Sequence, residues 1–191
     1  MIILTAGHTG ANSGAQCAET HFDEGAENIW LRNRIAEILT NKYNLVVLID
    51  NDNASLSLVT KQINENATTE DIVIDLHFNA HSNPQARGTE AIVSDDATTM
   101  ELRFASRLAH TTAEALEIPL RSIKSESQTP HRRLAMLHLT PQSIILEVCF
   151  CTSPEDVVQY RKYRELLAET LAHNIALLLD RKTFFQDRKT R

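Results

Sequence analysis

Along the chain the apolar positions change period several times, and each change marks an element. Ile72, Val73, Ile74 and Leu76 enclose a lone Asp75 in a β-branched run that stops at His77. A run that is apolar on both faces is what a strand inside a parallel sheet requires. Similar runs at Ile2–Thr5, Asn44–Asp50 and Ser143–Phe150 predict three more buried strands. Between them the period lengthens to three and four. Asn28, Leu31, Ile35, Ile38 and Leu39 predict an amphipathic helix from a cap at Asp23 to Asn41. Leu56, Val59 and Ile63 predict a second over Ser55–Asn66, and Leu102, Ala105, Leu108, Ala109, Thr112 and Leu116 a third over Thr98–Glu117. Leu166, Leu167, Leu171, Ile175 and Leu178 give the inner face of a closing helix within Glu155–Asp180.

Thr89–Ser94 reads as a further strand nearer an edge, and Leu134–Leu139 as a short one. Ile118–His131, with its prolines and serines, shows no period and reads as a surface connection, a candidate rim or lid. The opening order is β-α-β-α-β, and right-handed crossovers turn such an order into a parallel sheet. The expected fold is therefore α/β: three layers, with a mostly parallel central sheet of about six strands flanked by helices. The 191 residues contain no internal repeat or linker, so a single domain over 1–191 is expected.

Composition narrows the partners. Acidic residues outnumber basic ones, 25 to 19, and no basic stripe stands out, which argues against nucleic acid. No apolar run approaches the roughly 20 residues of a membrane span. Met1–Gly7 lacks the charged and apolar regions of a secretory signal, so the chain is expected to be cytoplasmic as synthesised. Three cysteines, Cys17, Cys149 and Cys151, are too few for a disulfide framework and suit a reducing compartment. Cys149 and Cys151 share one face of a strand and read as core residues rather than a metal pair.

Chemistry is expected where strands end, because open α/β sheets bind ligands beyond the carboxyl ends of their strands. His77 stands at such an end, with Asn79 and His81 close behind. His8 heads a loop after the first strand that holds Gly7, Gly10 and Gly14, residues that permit positive φ and close approach. Taken alone, His8 also reads as an exposed loop histidine. Glu24 and Glu27 open the first helix, where the helix dipole already favours carboxylates. Glu147 is the sharpest anomaly, a carboxylate in an apolar strand that must be paired, protonated or beside a metal. It reads either as a salt bridge, for instance to Arg133, or as a general base whose pKa is raised by burial. If the strand ends converge, His8, Glu24 and His77 supply three N/O ligands with an open position, the pattern of a catalytic zinc site. Glu19, His21, Asp23, Glu27 and His81 compete for ligand places, and nothing as diagnostic as H-E-x-x-H is present. His81 reads as a rim residue.

Several motifs fall in the order of a known family. A first strand runs into a G-H loop at Ile3–Gly10 (I-L-T-A-G-H-T-G), and Glu24 opens a helix with Asn28 four residues on. The central strand ends L-H-F-N-A at Leu76–Ala80, G-T-E follows at Gly88–Glu90, and the last strand runs L-E-V-C-F-C-T-S-P-E-D over Leu146–Asp156. In this the chain resembles the zinc-dependent N-acetylmuramoyl-L-alanine amidases of the amidase type 3 family, which includes many phage endolysins. The resemblance covers nearly the whole chain. It implies that His8, Glu24 and His77 hold Zn²⁺, that Glu147 is the catalytic carboxylate, and that Asn79 touches substrate or orders its loop. It also implies a peptidoglycan hydrolase that cuts the amide between N-acetylmuramic acid and L-alanine. Such an enzyme is expected to be a monomer without a separate wall-binding module, acting on the cell wall after release. Thr9 stands where many members have glycine, and Cys149 and Thr152–Ser153 vary the segment around the last strand's end. A zinc carboxypeptidase or other metallopeptidase on a related sheet is the alternative, and a non-catalytic binding domain a more distant one.

Overall fold

The apolar runs assemble into one sheet. The structure, a computed structural model, describes residues 1–9, 14–17, 19–83 and 85–186. In chain order the elements are β1 (Ile2–Ala6), β2 (Gln16–Cys17), β3 (Phe22–Asp23), α1 (Glu24–Tyr43), β4 (Val47–Ile49), α2 (Leu56–Asn66) and β5 (Ile72–Asn79). Next come β6 (Thr89–Val93), α3 (Thr99–Leu116), β7 (Leu120–Ser125), β8 (Gln142–Phe150) and α4 (Pro154–Gln186). Six strands pair in the order β4-β1-β5-β8-β6-β7, while β2 and β3 form a separate small hairpin. All neighbours in the six-stranded sheet are parallel except β6 and β8. The reason is local. A parallel return needs a crossover of a dozen or more residues, usually a helix, and among the described residues the nine-residue connection over 80–88 holds no helix. β6 is therefore laid down running the other way, with its first residues beside the last residues of β8.

Alternation along the strands sends apolar side chains to both faces, and the two faces are covered unequally. Ile2, Leu4, Ile72, Ile74, Leu76, Ile144 and Leu146 join a large core with α1, α3 and α4. Ile3, Val73, Ile92 and Ile145 join a smaller core with α2, the flanking Ala54 and Ala67, and the segment around the short turn Ala135–Leu137. By the two-residue period of a strand, Asp75, His77, Glu90 and Glu147 belong to this second, thinly covered face. Its carboxyl-terminal end is thereby left for a site.

The three-layer α/β fold is as expected, but several details differ. Asn44–Asp50 holds only three strand residues, and they are partly or fully exposed because β4 is the sheet's edge. Ile118–His131 contains β7, which pairs with β6 and closes the opposite edge, so the segment is not an unstructured rim. Leu134–Leu139 forms a 3₁₀ turn rather than a strand, and Met136 and Leu137 fill the smaller core. Leu56, Leu102 and Leu166, expected to face inward, are exposed; in α3 Phe104 is fully buried on the inner stripe.

The cysteine reading also needs correction. Cys149 is free and buried, as expected, but Cys151 is bonded to Cys17. Their Cα atoms stand 6.2 Å apart, within the usual span of a disulfide. The bond joins the β2–β3 hairpin, which precedes α1, to the end of β8. A buried hydrogen bond reinforces it: the Thr20 hydroxyl donates to the Cys151 carbonyl at 2.7 Å.

Candidate active site

Three chain segments bring the side chains together. β1 ends at Ala6, and the Gly7 amide donates to the Leu76 carbonyl at 2.8 Å, laying the following loop along the end of β5. His8 comes next and is half-buried. α1 begins at Glu24, with Asp23 as its cap accepting from the Ala26 amide. Glu24 is 2% exposed. A carboxylate this deep needs donors, and the backbone supplies them: Ala15 N–H at 2.8 Å to Oε2 and Phe78 N–H at 3.1 Å to Oε1. These bonds aim Oε1 at the strand ends, 3.5 Å from His77 Nδ1 and 3.9 Å from His8 Nε2. The two imidazole rings meet edge to face with centroids 5.1 Å apart.

The glycines of the loop are shaped to this cluster. A Cβ on Gly7 would run into the His77 ring. Gly14 has φ +71°, and a Cβ there would collide with the Glu24 carboxylate and the His8 ring. Gly10 lies outside the described residues.

Glu147 stands on β8 directly opposite His77 on β5, and Glu90 on β6 stands opposite Glu147 on the other side. His77, Glu147 and Glu90 thus form one row across three strands. Burial raises the Glu147 pKa to about 7; the charge of His77 opposes the shift, while Glu24, Glu90 and Asp75 add to it. Glu24 goes the other way. Burial alone would raise it, but hydrogen bonds to His77 and from the Ala15 amide leave it below its ordinary value. Burial would likewise depress His77, yet Asp75, Glu24 and Glu147 leave it well above the ordinary imidazole value.

The expected ligands His8, Glu24 and His77 offer one donor atom each, all within 4.8 Å of one another. Ligand atoms bound at about 2.1 Å to one tetrahedral ion stand roughly 3.4 Å apart, close to the 3.5 and 3.9 Å separations from Glu24 Oε1. His8 Nδ1 and Glu147 Oε2 are buried without a hydrogen-bond partner. Two imidazoles, one carboxylate and a fourth, unspent acid fit a divalent ion of zinc's borderline character.

The competing groups do not join the cluster. Glu27 accepts from the Tyr160 hydroxyl at 3.0 Å and pairs with Arg164 at 3.1 Å. Asp23 is spent on its cap, Glu19 and His21 are exposed, and His81 is an exposed residue whose Nδ1 accepts from the Asn83 amide. Arg133, the suggested partner of Glu147, is exposed. Asn79 donates to Glu90 at 2.9 Å and accepts from the Ala80 amide, which orders the strand's exit.

Two further carboxylates at the site lie outside the expected ligand and catalytic set. Asp75 is bonded to His77 and to Thr5. Glu90 is clamped by Asn79, Arg121 and Lys124. Asp75 had a signal in its two-residue spacing from His77, which puts both on one face. Glu90 had one in its apolar strand.

An α/β sheet whose strand ends gather a His/Glu/His cluster, able to hold a divalent ion, beside a raised-pKa carboxylate has the parts of a hydrolase site. The chain belongs to the N-acetylmuramoyl-L-alanine amidase family (amidase type 3), whose profile matches residues 2–177. It is a peptidoglycan amide hydrolase. Solved structures share the fold. An N-acetylmuramoyl-L-alanine amidase of Clostridium difficile 630 superposes with TM-score 0.80 at 20% identity, over 94% of this chain and 96% of that one. A protein of Neisseria meningitidis assigned the same activity gives 0.79 at 27% identity, over 94% and 95%. The catalytic domain of the CD27L endolysin, which targets Clostridia difficile, gives 0.67 at 24% identity, over 90% and 91%. No curated protein sequence matches the chain.

Proposed function

We propose that the chain cleaves the amide between the lactyl group of N-acetylmuramic acid and L-alanine with Zn²⁺ held by His8, Glu24 and His77. The observation that carries this reading is the gathering of three donor atoms within 4.8 Å beside a buried, unpartnered Glu147 oxygen. Bound there, Zn²⁺ supplies Lewis acidity toward water and the scissile carbonyl. Glu147 is the general base: its Oε2 has no internal partner, so it takes a proton from the attacking water and returns it to the departing nitrogen of L-alanine. Glu24 is fixed by two backbone amides and needs no reorganisation to serve as a ligand. Asn79 spends its carbonyl on Ala80 and one amide hydrogen on Glu90, which leaves its second amide hydrogen for an oxygen of the substrate. Residues 2–177, the span the family profile matches, act as the catalytic domain on peptidoglycan.

Two measurements test the reading together: metal content of the purified protein by mass spectrometry, and appearance of N-terminal alanine from a muramyl peptide and from a simple dipeptide. One equivalent of zinc with cleavage of the muramyl peptide alone is expected. Cleavage of the dipeptide at a comparable rate would make the enzyme a metallopeptidase instead. Gly7→Ala is expected to weaken zinc binding by roughly tenfold or more, because its methyl group occupies the place of the His77 ring. Retention of zinc against a chelator, compared with wild type, measures it.

A further inference from the structure

Asp75 is 2% exposed within an apolar strand. A carboxylate in that position is costly unless both oxygens are used, and both are. Oδ1 accepts from the Thr5 hydroxyl at 2.6 Å, an interaction set by the pairing of Thr5 with Asp75 across β1 and β5. Oδ2 lies 3.1 Å from His77 Nε2. The other nitrogen of the same ring, Nδ1, is the one that points to Glu24 Oε1. The ring is therefore held from behind by one carboxylate and presented forward to another. Gly7 closes its flank, since a side chain there would occupy the ring's place.

We propose that Asp75 is a positioning residue for the metal site, holding His77 as the Nε2–H tautomer so that Nδ1 is the ligand atom. An imidazole that donates its second N–H to a carboxylate is fixed in orientation and is a more basic ligand, and loss of such a partner typically costs 10–100-fold in metal affinity. Thr5 completes the relay by fixing Asp75 itself. The inference rests on the metal reading of His77 given above. A merely structural Asp75, tying β1 to β5 through Thr5, would change stability but neither the zinc affinity of the folded protein nor the tautomer of His77.

The test compares wild type, Asp75→Ala and Asp75→Asn by zinc competition against a chelator, with ¹⁵N-histidine NMR of the zinc-loaded proteins. Wild type is expected to bind zinc with His77 Nε2 protonated. Asp75→Ala should bind roughly 10–100-fold more weakly. Asp75→Asn, with a neutral acceptor in place, should fall between the two. Should Asp75→Ala not fold, the Asn variant decides alone: a reproducible loss of affinity supports the inference, and wild-type affinity overturns it. Wild-type protein that binds zinc through His77 Nε2 overturns it as well, leaving the metal reading intact. Wild-type protein that binds no zinc removes the metal reading and this inference with it.

Discussion

Glu147→Gln is expected to lower kcat by about 10²–10⁴ while leaving zinc content and KM close to wild type. The amide has the shape of the carboxylate but takes no proton from water, and Glu147 is not among the three clustered donors. The variant also exposes the electrostatics of the empty cluster. Free Glu147 stays neutral up to about pH 7, against an ordinary value of 4.5. A carboxyl group whose folded pKa is raised contributes stability that is complete below its unfolded pKa and lost as pH rises through the folded one. Chelator-treated wild type should therefore lose on the order of 3 kcal/mol from this group between about pH 4.5 and somewhat above 7. The glutamine variant has no such proton to lose, so its urea-unfolding curve should be flatter over that interval. Zinc reverses the local sign, because a nearby divalent charge favours the carboxylate. The zinc-loaded wild type should accordingly stay active below pH 7. Turnover by Glu147→Gln within tenfold of wild type would remove the general-base role.

The groups that could be read from the sequence are those whose chemistry conflicts with their surroundings. His77 ends a β-branched run and Glu147 interrupts another, so pattern alone marks both. Glu24 and Glu27 differ by only three positions in one helical turn, and the dipole explains either. The choice between them is tertiary: Glu27 faces Tyr160 and Arg164 of α4, while Glu24 reaches the ends of β1 and β5. β7 escapes detection because Leu120–Ser125 is a half-exposed edge strand whose order comes from pairing with β6. Leu134–Leu139 has the apolar content of a strand, but its residues fill a gap in the smaller core, and gap filling carries no period. The bond between Cys17 and Cys151 spans 134 residues, a separation over which spacing carries no information. Glu90 carries a signal as a lone acid in an apolar strand, but its place opposite Glu147 comes from the strand register.

Behind the site, Arg32→Met is expected to cost about 3–5 kcal/mol near neutral pH, the largest stability effect among these predictions. Arg32 is 1% exposed on α1, and its guanidinium pairs with Asp50 at 2.6 Å and Asp52 at 2.7 Å. Asp50 is the reason for the size of the effect. Its side chain is 4% exposed, and Oδ1 also accepts from the Ala6 amide at 3.2 Å, immediately before Gly7 and His8. Burial raises the Asp50 pKa even with Arg32 opposing it, and the charge of Asp75 pushes the same way. Without the guanidinium, ionised Asp50 becomes a buried charge that only one backbone amide answers. It then holds a proton to higher pH, and by the same linkage the loss deepens as pH rises through its new folded pKa. Urea unfolding at pH 5 and pH 8 should show the larger penalty at pH 8. Adding Asp50→Asn should recover much of it, because the neutral amide needs no cation. If Arg32→Met costs under about 1 kcal/mol at pH 8, the pair is a solvated contact and does not brace the His8 loop.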